Sequence, residues 1–146
     1  MHQPSPSNKP AILVKSIAAL LLAVLPARAA VLTWDITPGT VGAGDSAITG
    51  GSGTWTTTPV FGSWTVDGGV NDIAWVNNAV PDSAVFGDAA GTVTLGAAIT
   101  ANALTFNSTG YIISGNTLTL AGTTPTVTVG SGLGATISSV IAGRRA

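Results

Sequence analysis

Cysteine and glutamate are both absent from this 146-residue chain. Without thiols there is no disulfide to staple a fold and no sulfur nucleophile. Histidine occurs once, at His2, and lysine twice, at Lys9 and Lys15, all near the start. Only 8% of the residues are charged, which excludes the basic stripe that nucleic-acid phosphates require. Long apolar runs are also scarce. The longest, residues 17–25, falls well short of the roughly 20 residues that a spanning helix needs. A stable membrane anchor is therefore not expected in this chain.

What is present falls into two blocks. Residues 1–29 contain no glycine or threonine, whereas all 19 glycines lie downstream. The first block has the layout of a secretory signal peptide. Lys9 and Lys15 give a positive start, residues 17–25 an apolar stretch, and Pro26 an end. Ala27-Arg28-Ala29 then supplies a small-x-small cleavage site, with Ala30 as the first residue of the processed chain. The protein is accordingly expected to be exported, to the cell surface or beyond it, or to the outer-membrane side of a Gram-negative cell.

Cleavage at that point removes His2, Lys9, Lys15 and Arg28. Six aspartates then face Arg144 and Arg145, a net charge of about −4 at neutral pH. This inventory leaves out Ser-His-Asp and Cys-His catalysis, and the usual zinc and haem ligands. Tyr111 has no Lys or Arg near it in sequence to make it a base. The aspartates Asp35, Asp45, Asp67, Asp72, Asp82 and Asp88 mostly stand beside Gly, Ser, Asn or Pro, as turn residues do. No catalytic residue, cofactor or metal is expected, and the chain reads as a non-enzyme.

The second block is rich in Gly, Thr, Val, Ala and Ser, with no helical periodicity, and reads as all-β. Short alternating triplets recur: Val93-Thr-Leu95, Leu104-Thr-Phe106, Tyr111-Ile-Ile113, Leu118-Thr-Leu120, Val127-Thr-Val129 and Thr136-Ile-Ser138. Matching Val93 with Leu118, Leu104 with Val127 and Tyr111 with Thr136 gives offsets of 25, 23 and 25. A period near 24 with three strands per period predicts a right-handed parallel β-helix over residues 91–146. An antiparallel sandwich would give the same alternation but not the recurrent offset. In each triplet the first and third side chains are expected to face inward and threonine outward. Residues 30–90 hold all four tryptophans, Trp34, Trp55, Trp64 and Trp75, and are expected to cap the coils.

The order Trp34-Asp35, Gly53-Thr-Trp55, Trp64, Asp72-Ile-Ala-Trp75, Asp82-Ser-Ala-Val-Phe86-Gly87, followed by the triplets and Ile141-Ala-Gly143, resembles the N-terminal start of bacterial proteins with autotransporter-associated β-strand repeats. The resemblance covers residues 32–143. It implies a long β-helical passenger displayed or released at the cell surface. Such passengers continue into Gly-rich repeats and a translocating barrel, whereas this sequence runs into Arg144-Arg145-Ala146. A truncated fragment of a longer passenger is therefore expected.

The expected role is that of an exported structural or adhesive passenger fragment. Its partners would be glycans or proteins of a cell surface or extracellular matrix, or a second chain paired at an open β edge. The alternative is a small secreted carbohydrate-binding module in which exposed Trp55, Trp64 and Trp75 stack on sugar rings.

Overall fold

Threonine alternating with Val, Ile, Leu or Phe suits a pleated strand with one wet face and one dry face, and glycine-rich stretches break the strands into short pieces. The computed structural model describes residues 28–143. The expected leader, Ala27 included, lies outside the described residues except for Arg28 and Ala29, which are exposed. Among the described residues there is no helix, and thirteen strands form.

The strands are β1 (Val31–Trp34), β2 (Gly53–Trp55), β3 (Trp64–Thr65), β4 (Asp72–Ile73), β5 (Ser83–Phe86), β6 (Thr92–Leu95) and β7 (Ile99–Ala101). They continue with β8 (Ala103–Phe106), β9 (Tyr111–Gly115), β10 (Leu118–Leu120), β11 (Thr126–Val129), β12 (Ala135–Ile137) and β13 (Ile141–Gly143). Three open sheets result, in the orders β11-β8-β5-β1-β3-β4, β12-β9-β6-β2 and β13-β10-β7. All pairs are parallel except β1 with β3 and β3 with β4. From β5 onward the chain visits the first, second and third sheet in turn, three times over.

Register keeps like positions above one another. Leu32, Ala84, Leu104 and Val127 align in the first sheet, as do Phe86, Phe106 and Val129. In the second sheet Gly53, Val93, Ile113 and Ile137 align. The match of Leu104 with Val127 is as expected from the sequence. The other two matches need correction. Tyr111 pairs with Ala135, one residue before Thr136. Val93 pairs with Ile113, 20 residues on, and Leu118 pairs with Ile99. The strand Ile99-Thr-Ala101 is the cause, because it supplies the third face one circuit before Leu118. The first circuit is thus shorter than the second: Ala84 meets Leu104 after 20 residues, and Leu104 meets Val127 after 23.

Facing follows the alternation where a strand has neighbours on both sides. Val93, Leu95, Leu104, Phe106, Tyr111 and Ile113 are buried. Val127 and Val129 do not follow, being 41% and 40% exposed. The physical reason is position: β11, β12 and β13 are the edges of their sheets among the described residues, so their apolar side chains are covered from one side only.

The core is continuous across residue 90. Phe86 stacks on Phe106 at 5.0 Å with an interplanar angle of 14°. It also lies 5.6–6.1 Å from Trp34, Trp55 and Trp64. Replacing Phe86 by alanine should cost about 3–5 kcal/mol through lost burial and a cavity that rigid sheets cannot close. Denaturant unfolding checks this, and a loss under about 1 kcal/mol would mean that Phe86 does not link the two parts.

Candidate functional site

The four tryptophans meet although they come from four separate segments. Trp34 ends β1, Trp55 ends β2, Trp64 opens β3, and Trp75 follows β4. Ring centroids lie 4.8 Å apart for Trp55–Trp64, 4.7 Å for Trp55–Trp75 and 4.8 Å for Trp64–Trp75. Trp34 joins them at 5.1 Å from Trp64, edge to face. Such offset and edge-on contacts suit the ring quadrupoles.

These rings are inside. Trp55, Trp64 and Trp75 are 0%, 1% and 0% exposed, so none offers a face to a sugar. The stacking role expected of them is corrected on that ground: a ring with no exposed face cannot stack on a ligand. Large aromatics drawn together by the antiparallel turn of β1, β3 and β4 bury more area against one another than they would on the surface. The Trp34 indole donates to the Gly51 carbonyl at 2.9 Å. The indole N–H groups of Trp55, Trp64 and Trp75 are buried with no oxygen acceptor.

The aspartates are the remaining chemistry. Asp45 and Asp67 act as turn residues. Asp45 accepts from the Ala47 N–H at 2.9 Å, and Asp67 accepts from the Asn71 side chain at 2.8 Å and its backbone N–H at 3.0 Å. Those bonds, with one from Thr65, hold the Asp67 carboxyl below its usual range. Asp88 is exposed, with φ 55° in the left-handed region, which a short polar side chain tolerates.

Asp35 and Asp72 are different, because both are fully buried. Asp35 Oδ1 accepts from the hydroxyl and N–H of Thr49 at 3.1 and 3.3 Å. Asp72 Oδ2 accepts from the Gly39 N–H at 3.1 Å. The Asp72 backbone also brackets the 39–43 loop, accepting from Gly42 N and donating to Ala43 O. Each carboxylate keeps one buried oxygen unpartnered, Oδ2 of Asp35 and Oδ1 of Asp72. Burial pushes Asp72 up to about 6, against the Gly39 hydrogen bond and with the charges of Asp35, Asp45 and Asp67 adding to the rise. Among the described residues no three acidic or metal-ligating side chains gather where a cation could be held. The Tyr111 hydroxyl donates toward the Gly87 and Ala89 carbonyls at 2.7 and 2.8 Å, and its burial raises its pKa. It is a structural clasp. Gly50 lies against it, with φ +61°, and an added Cβ would sit 2.5 Å from both of those carbonyl oxygens.

Comparison with known proteins points outward from these residues. Over 94 residues the chain is 55% identical to the adhesin BmaC autotransporter of Brucella suis biovar 1 (strain 1330). The match covers 64% of this chain and 3% of that protein, so the chain corresponds to a small part of its relative's length. No family model matches, and no solved structure matches. The chain is related in sequence to a fragment of an autotransporter adhesin.

A pH dependence follows from Asp72. Its pKa is raised on folding, so between about 4 and 6 the folded chain holds more protons than the unfolded one. Stability should therefore fall as pH rises through that window. Asp72→Asn should flatten this part of the profile and leave the protein more stable at pH 7 than the wild type. Thermal melts from pH 3.5 to 7.5 test this, and an unchanged slope in the variant would contradict it.

Proposed function

We propose that the chain is an exported, non-enzymatic fragment of an adhesive surface passenger, built as the start of a right-handed β-solenoid. The observation that carries this reading is the relation to the Brucella adhesin autotransporter. The threefold passage of the chain through three parallel sheets is what a solenoid of the autotransporter-associated repeat type would require. On this reading residues 1–29 are a cleaved signal peptide. Residues 30–90 form a cap whose tryptophan cluster closes the lumen, and residues 91–146 begin the coils. Residues facing outward, a mixture of Thr, Gly, Ser and Val with little charge, would meet proteins or glycans of a host cell or matrix through broad, weakly charged contact.

The test is adhesion itself. Beads coated with the exported chain should be retained on epithelial monolayers or matrix-coated surfaces several-fold above beads coated with the heat-unfolded chain. Equal retention of the two would end the adhesive reading.

We infer also that residues 28–143, taken by themselves, associate. The strands β11, β12 and β13 leave three neighbouring sheet edges, with Val127, Val129 and Ile141 exposed on them. Open edges with apolar side chains pair with other chains, whereas lysine on an edge prevents this. Sedimentation should show concentration-dependent dimers that disappear in a Val127→Lys, Val129→Lys variant. A wild-type monomer at all concentrations would refute the inference.

A further inference from the structure

The residue expected to begin the processed chain is already held by a carboxylate. The Ala30 backbone nitrogen donates to Asp82 Oδ1 at 2.6 Å, and the Ala30 carbonyl accepts from Ser83 N at 2.8 Å. The other carboxylate oxygen, Asp82 Oδ2, accepts from the Asn78 side chain at 2.7 Å. Asp82 is only 7% exposed, and both of these donors are neutral. A buried carboxylate held by neutral donors alone is a costly arrangement, and one facing a cation is not. Ala29, just before, is exposed and forms one wall of a half-open recess with Val80, Pro81, Asn102 and Thr123. The scissile bond thus lies at the surface, immediately before the strand β1.

We propose that Asp82 is a binding site for the new α-ammonium of Ala30, so that removal of the leader locks the fold. The proposal rests on cleavage between Ala29 and Ala30 by a signal peptidase, as read above. Hydrolysis breaks the Ala29–Ala30 amide with one water. The hydroxyl goes to the Ala29 acyl carbon and a proton to the Ala30 nitrogen. At neutral pH the new carboxyl releases a proton and the new amine binds one. The nitrogen that donated as a neutral amide then donates as a cation to the same oxygen, and a charge-assisted bond replaces an ordinary one. Nothing else in the strand has to move, because Ser83 N already fixes the Ala30 carbonyl. The leader-bearing chain lacks this pair, so it is the less stable of the two. That difference favours folding after export over folding before it.

The sequence makes the test clean. Both lysines, Lys9 and Lys15, leave with the leader, so the α-amine is the sole primary amine of the processed chain. Exported protein is first sized by intact-mass and N-terminal sequencing. The pH dependence of its acylation by an amine-selective reagent then reports one group. An α-amine ordinarily titrates near about 7.7–8.0. The expected result is a start at Ala30 with a value at least about one unit higher, a tenfold slower acylation at pH 7.5, and return toward the ordinary value in Asp82→Asn. The extra stability should be fully present below the ordinary value and lost as pH rises through the raised one.

Should Asp82→Asn not fold, acetylation of the wild-type amine replaces it, since an acetyl group mimics the Ala29 acyl carbon while removing the charge. The acetylated chain should melt lower. A start at Ala30 with an ordinary titration and an unchanged melt would overturn the lock while leaving the cleavage reading intact. A start elsewhere would overturn both.

Discussion

The contact between Phe86 and Phe106 is the hinge of the whole arrangement. Behind Phe86 lies the tryptophan cluster, made by an antiparallel turn of three short strands together with Trp55 of the parallel strand β2. Ahead of Phe106 lies the parallel ladder. The two parts follow different pairing rules, and one aromatic stack makes their interiors continuous. Because the sheets are open and the strands three to five residues long for most of the chain, no single ladder has much strength of its own. Packing of inward-facing rings and aliphatic side chains across the sheets has to supply it, in a chain with no disulfide to help.

That constraint explains how the buried aspartates are used. Asp35 and Asp72 are fully buried. They collect backbone N–H groups from the long irregular segment between β1 and β2, where glycines leave few side chains to pack. A carboxylate accepts several such bonds at once, which suits a loop with little hydrophobic anchorage. The accompanying cost is the desolvation that lifts Asp72 toward neutral pH.

Much of this was legible in the sequence, for physical reasons that differ by region. The Leu-Thr-Phe triplet carries a strong period of two, so its facing and the Leu104–Val127 match could be read directly, whereas the edge position that exposes Val127 and Val129 could not. Ile99-Thr-Ala101 was missed because a strand ending in alanine between Ala-Ala and Asn-Ala lacks the β-branched and aromatic weight that marks strands, and only its place between Leu95 and Leu104 betrays it. Omitting it shifted the assignment of Val93 by a full face. Burial of the tryptophans was foreseeable from their size, but which rings would meet was not, since their clustering depends on β1 pairing with β3 across thirty residues of glycine-rich chain. The pairing of Ala30 with Asp82, 52 residues apart, left no pattern that a sequence could show.

The unequal circuits have a consequence for how such a chain can change. Between β7 and β8 the corner is a single residue, Asn102; one circuit later the corresponding corner runs over residues 121–125. The strands on either side remain in register despite this difference. Length variation is absorbed outside the packed interior, at one corner, with the side chain of Asn102 lying against Gly122 in the wider turn. Insertions and deletions at that corner are therefore nearly neutral for folding. Loops there can lengthen and vary in sequence while the interior stays fixed by packing.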